Sequence, residues 1–86
     1  MKQITIYTTS ACPYCKMAKN LLNKKGAKFD EIDVSHNQEE RQRMSQRSGG
    51  RRSVPQIFIG ATHVGGCDDL HALDAKGGLD LLLAAS

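Results

Sequence analysis

Residues 3–34 fit a strand, a helix and a second strand into a short span, and this constrains the fold more than any other feature. Gln3 to Thr8 (QITIYT) is rich in β-branched and aromatic side chains, the make-up of a buried strand. After a short polar loop, Pro13 to Lys25 places Met17, Ala18, Leu21 and Leu22 on one helical face and turns Lys16, Lys19 and Asn23 away from it. Pro13 suits the first helical position, Gly26 suits a left-handed stop, and Lys24 and Lys25 complement the negative end of the helix dipole. Phe29 to Val34 reads as a second strand. Two strands joined through a crossover helix must pair in parallel.

The rest of the chain extends that unit. Ser35 to Gln38 fits a capping box for a polar helix running to about Ser48, with Met44 as its best anchor, so this helix is expected on the surface. Gly49 and Gly50 stop it, and Ser-Val-Pro opens a strand over Gln56 to Ile59. Gly60-Ala61 is compatible with a type II′ turn into Thr62 to Val64. Gly65 and Gly66 end that strand, and an acidic pair opens a helix over Asp68 to Ala75. Gly77 and Gly78 separate it from a last short helical stretch, Leu79 to Ala85. The order β-α-β-α-β-β-α predicts an α/β fold with a four-stranded mixed sheet flanked by helices.

At 86 residues the chain is expected to be one domain, 1–86, burying about 60–70% of its unfolded surface. Its longest apolar run, Leu79 to Ala85, is broken by Asp80 and is too short to span a bilayer. The strand pattern begins at once and leaves no room for a signal peptide, so a cytoplasmic location is expected. The net charge is +3, spread over Lys16–Lys28 and Arg41–Arg52. Nucleic-acid binding would want a basic stripe interleaved with stacking aromatics, and the chain has only Tyr7, Tyr14, Phe29 and Phe58. Solvated helix faces account for the charge, and a local anion site stays open.

Three cysteines cannot all pair within one chain, and a disulfide scaffold would need more of them closing longer loops. Cys12 and Cys15 in Cys-Pro-Tyr-Cys, with Cys67 remote, point instead to redox or metal chemistry. A structural zinc site usually needs four ligands; the others available, Cys67, His36, His63 and His71, have no recognisable ligand spacing. His36 in a polar turn and His63 in a hairpin read as ordinary surface residues. The redox reading ranks above the metal one, so no metal site is expected.

Helix position ranks the two sulfurs. Cys12 falls at the N-cap, where unsatisfied amides and the helix dipole favour thiolate over thiol. Thiols of this motif at helix starts fall from about 8.5 to between roughly 3.5 and 7.5. Cys12 is therefore the predicted nucleophile, and Cys15, one turn deeper, the predicted resolving thiol. Pro13 stiffens the turn. Tyr14 offers a wall for a small thiol compound, with a plain core tyrosine as the alternative.

Cys-Pro-Tyr-Cys after Ile-Thr-Ile-Tyr-Thr, followed by SVPQIFIG and GGCDDL, resembles the glutaredoxin family, most closely its small bacterial dithiol members. The resemblance runs over nearly the whole chain and implies the thioredoxin fold. It implies a cis-proline at Pro55 facing the cysteines, with the Val54 backbone pairing with the cysteine of glutathione. It implies that Gly66, Cys67 and Asp68 hold the γ-glutamyl end through free amides and the Asp68 carboxylate, although Asp68 and Asp69 also read as a plain helix cap. Two departures stand out. Thr9 replaces a lysine often found there, which leaves Arg51 and Arg52 either as substitute carboxylate contacts or as solvated loop residues. Ser53 replaces threonine before Val-Pro and keeps the hydroxyl. Cys67 is either an inert small residue or a regulatory thiol.

The implied activity is glutathione-dependent thiol–disulfide exchange on protein–glutathione mixed disulfides and protein disulfides. No bound cofactor is expected, with glutathione as co-substrate. The expected partners are glutathione and glutathionylated or disulfide-containing proteins, with no nucleic acid or membrane, and the expected state is a monomer. Two alternatives remain: a thioredoxin-like donor served by a flavoprotein reductase, and an iron–sulfur carrier bridging two subunits through Cys12 and glutathione.

Overall fold

The β-branched segments form the sheet that the sequence predicts. A computed structural model describes residues 3–84. In chain order they are β1 (Ile4–Thr8), α1 (Pro13–Lys24), β2 (Asp30–Asp33), α2 (Gln38–Arg47), β3 (Gln56–Ile59), β4 (Thr62–Gly65), α3 (Cys67–Ala75) and α4 (Gly78–Ala84). The expected helix end at Ala85 lies outside the described residues.

The sheet runs β2-β1-β3-β4. β1 pairs in parallel with β2 and antiparallel with β3, and β3 pairs antiparallel with β4. This is the mixed four-stranded sheet of a thioredoxin-like fold. Alternation sends β1 and β3 side chains to two faces. Ile4, Ile6, Ile57 and Ile59 pack with Ala18, Leu22, Leu70 and Leu79 of the helices on one side. Tyr7 and Phe58 pack with Val34 and Met44 of the α2 layer on the other. Each fully buried aliphatic side chain is worth about 1.5–3 kcal/mol, so the larger cluster dominates stability.

Several local expectations change. Met17 does not share the buried arc of α1, which consists of Cys15, Ala18, Leu21 and Leu22. At 100° per residue it lies nearly a third of a turn round from their centre and is 50% exposed. Its place on the buried face is taken by Cys15. The cap of α2 is Asn37, whose side chain accepts the Glu40 N–H at 3.1 Å, two residues later than expected. Ser35 instead donates its N–H to Asp33 and accepts the Ser10 N–H at 2.9 Å, bracing the loop that leads to Cys12. Met44 is the buried residue of α2, as expected. In the β3–β4 hairpin Gly60 has φ +59° and no described non-glycine residue has positive φ, which excludes type I′ and carries the signs of type II′. Gly78 begins α4 and does not separate it from α3.

Candidate active site

The first helix presents its cysteines at the end of β1. Cys12 has extended backbone and caps α1, and its Sγ accepts the Cys15 N–H at 3.1 Å. That bond occupies one amide the first turn would leave unpaired and brings a positive dipole to the sulfur. Cys12 is half-buried, whereas Cys15 is 1% exposed. The two form a disulfide, with Cα atoms 5.2 Å apart. The pair therefore has an accessible outer sulfur and an enclosed inner one.

Cys12 Sγ lies 3.9 Å from the carbonyl oxygen of Val54, so the α1 start and the loop between α2 and β3 meet here. The Val54–Pro55 peptide is cis. Beside it opens a cleft of about 290 Å³. Tyr14, 59% exposed, forms its α1 wall, which excludes the core-tyrosine alternative. Arg51, Ser53, Val54 and Pro55 form the second wall, and Gly66, Cys67, Asp68 and Asp69 at the start of α3 form the third.

Three distant sequence segments thus converge on one cleft, which the cysteine pair adjoins. Arg52 does not line it; this residue lies on a separate polar groove with Gln38, Arg41 and Gln42, and its carbonyl accepts from Arg41 at 3.0 Å. Arg51 is the arginine that reaches the cleft, where it pairs with Asp69 at 3.2 Å. Both partners are about half exposed, so this pair is worth at most about 1 kcal/mol and yields easily to another anion.

At the third wall, Gly66 caps α3 without a side chain, and Asp69 Oδ2 accepts the Gly66 N–H at 2.9 Å. That hydrogen bond, followed by Arg51, holds the Asp69 carboxyl below its ordinary range. Cys67 is buried at the first helical position; burial, then the Asp68 charge, pushes its thiol up. Its Sγ lies 3.5 Å from His71 Nδ1, which also bonds the Cys67 carbonyl.

Two residues near the site escape sequence reasoning. Gln56 is fully buried beside Pro55, and His63, expected as a surface residue, is half-buried against Phe58 and Gln56. The signal for Gln56 was one polar residue inside the apolar run Val-Pro-Gln-Ile-Phe-Ile. Among the described residues, no group of three histidine, cysteine or acidic side chains could hold a metal ion. No helix among them is long and apolar enough to cross a membrane.

Comparison with known proteins agrees with this architecture. The family model described as Glutaredoxin matches residues 4–64. Glutaredoxin 3 of Escherichia coli strain K12 is 57% identical over 83 residues, covering 96% of this chain and 99% of its own. The solution structure of glutaredoxin from Brucella melitensis is 58% identical with a TM-score of 0.84, over 96% of this chain and 89% of that one. The crystal structure of a buckwheat glutaredoxin–glutathione complex is 28% identical with a TM-score of 0.85, over 95% of this chain and 76% of that one. With a disulfide-forming cysteine pair at the helix start, a cis-proline beside it and relatives matched end to end, the chain belongs to the glutaredoxin family of thiol–disulfide oxidoreductases.

Proposed function

We propose that this protein reduces protein–glutathione mixed disulfides and protein disulfides at the expense of glutathione, with Cys12 as the attacking sulfur. The observation that carries the reading is the cleft beside Cys12, which offers a peptide backbone on one side and a helix start on the other. Among the described residues the Val54 N–H has no protein acceptor, so it is free to pair with an extended peptide as a strand edge does. Gly66 brings no capping side chain, which leaves the first-turn amides of α3 to an anionic group, and Asp68 stands ready for an adjacent ammonium. Tyr14 walls the groove on one side, Ser53 and Pro55 on the other, and Arg51 supplies the cation for a second carboxylate. One small peptide with an ammonium, two carboxylates and a central thiol fits this set: glutathione. The buckwheat relative bound to glutathione supports the same reading.

The chemistry follows from the two sulfur environments. The Cys12 thiolate attacks the glutathione sulfur of a mixed disulfide; the protein thiolate leaves and takes a proton. A glutathione thiolate then attacks the glutathione sulfur of the Cys12 adduct, releasing oxidised glutathione and the Cys12 thiolate. Alternatively Cys15 attacks Cys12, expelling glutathione and closing the Cys12–Cys15 disulfide, which two glutathiones reopen. Protein disulfides require both cysteines. The sulfurs carry the electrons, so no bound cofactor is invoked. The protein acts as a single-domain monomer in a compartment with a reduced glutathione pool, the cytoplasm, without nucleic acid or membrane.

The test is turnover of a glutathionylated peptide with glutathione, glutathione reductase and NADPH. Turnover is expected with wild type and Cys15→Ser and is expected to fall to background with Cys12→Ser. Equal loss in both variants would remove the monothiol route. Reduction served only by thioredoxin reductase would overturn the glutathione assignment.

A further inference from the structure

Gln56 buries an amide next to the cleft, and burying an amide is unfavourable unless its groups are paired. Its Nε2 donates to the Ser53 carbonyl at 3.0 Å and to the Ser53 hydroxyl at 3.3 Å. Its Oε1 lies 2.7 Å from His63 Nε2.

These contacts fix one another's polarity. A carbonyl can only accept, so the amide nitrogen must face Ser53 and the amide oxygen must face His63. That oxygen also only accepts, so His63 Nε2 must carry a proton. The neutral imidazole is therefore the Nε2–H tautomer. The ring is steadied by stacking on Phe58, its cross-strand partner, with centroids 4.8 Å apart and planes at 25°. The Arg47 guanidinium sits 4.2 Å from the Phe58 centroid and holds that ring in turn.

The consequence reaches the cleft through one peptide plane. Among the described residues only Val54–Pro55 is cis, so Ser53–Val54 is trans, and its C=O and N–H point in opposite directions. Holding the Ser53 oxygen on buried Gln56 turns the Val54 N–H away from β3, to the side where Val54 lines the cleft. The geometry points to a positioning role for His63 and Gln56: the chain His63–Gln56–Ser53 aims the Val54 N–H at the bound peptide and so sets its affinity. This rests on the proposed pairing of Val54 with glutathione. Neither residue touches the sulfurs, so the effect belongs in binding and not in thiol exchange.

Two variants and one measurement on wild type test it. His63→Phe keeps the aromatic stack and deletes the donor, whereas His63→Gln keeps an N–H donor. The KM for a glutathionylated peptide is expected to rise about five- to tenfold in His63→Phe, the worth of about one net hydrogen bond, with kcat within about twofold. His63→Gln is expected to recover most of that loss. An unchanged KM in His63→Phe, or equal loss in both variants, overturns the role. Nitrogen NMR of His63 in the wild-type protein at pH 7.5 needs no variant: Nε2–H is expected, and Nδ1–H overturns the relay. If wild type fails to turn over the glutathionylated peptide, the proposed function falls by itself. The relay is then judged by the Val54 amide resonance in His63→Phe, where a shift supports it and an unmoved signal overturns it.

Discussion

Cys12 and Cys67 both stand at the start of a helix beside the same cleft, yet their sulfurs have different surroundings. Cys12 is the cap itself: its sulfur lies outside the first turn, half-buried, and accepts the Cys15 N–H. Cys67 is one step further in, behind Gly66, buried at the first helical position with its thiol pushed up by burial and by Asp68. A helix start therefore does not by itself activate a thiol. At the cap position an amide meets the side chain, an arrangement that favours thiolate, whereas one residue later burial favours the thiol. The second start is built differently, because Gly66 brings no side chain to its first-turn amides.

The widest expected gap between the two is in reactivity. In the reduced protein at neutral pH, iodoacetamide should alkylate Cys12 more than about tenfold faster than Cys67, since ionised helix-start thiols react and buried ones are inert. Mass spectrometry of the time course reads this directly; equal rates would erase the distinction.

Next comes the backbone that sets up the second start. Gly65 has φ +117°, and a methyl group there would run into the Asp69 carboxylate. Gly65→Ala should cost about 1–3 kcal/mol in urea unfolding through backbone strain and a displaced cap. A variant as stable as wild type would mean that Asp69 does not hold this turn.

Asp69 gives a smaller, pH-dependent effect. Its folded carboxyl titrates below its ordinary range because of the Gly66 N–H and then Arg51. The sign follows: its contribution is complete above the ordinary carboxylate range and is lost as pH falls through the lowered folded value. Asp69→Asn should cost about 1 kcal/mol or less at pH 7 and should flatten the acid limb of stability. Urea unfolding from pH 3 to pH 7 reads both.

The smallest stability change is expected from giving the α3 cap the side chain that Gly66 lacks. Gly66 has extended backbone, and its Cβ would meet only ordinary contacts with the Pro55 carbonyl, Arg51 and the Asp69 carboxylate. Gly66→Ser should stabilise by a few tenths of a kcal/mol, because serine caps slightly better than glycine. It should also raise the KM for glutathionylated peptide by competing for the amides. Steady-state kinetics beside thermal unfolding separates the two.

The sequence itself determined the order of elements, the crossover unit and the placing of Cys12 at the helix cap with Cys15 one turn inside, because strand composition, helical period and cap position are local properties. The pattern Val-Pro-Gln-Ile-Phe-Ile marked the next segment of the site without showing what its polar member does. Where local patterns compete, only packing chooses: Ser35 and Asn37 both suit a cap, and the loop tie from Ser35 to Ser10 decides between them. Met17 had the right period for the buried arc, but the neighbouring layers cover Cys15 in its stead. Arg51 and Arg52 were equal in the sequence, and chain direction after α2 sends only the first into the cleft. Likewise the burial of Cys67, the relay from His63 through Gln56, and the meeting of residues 12–15 with 51–55 and 66–69 come from tertiary packing. Such contacts join segments tens of residues apart, and their energies depend on what each side chain finally faces, which no local period encodes.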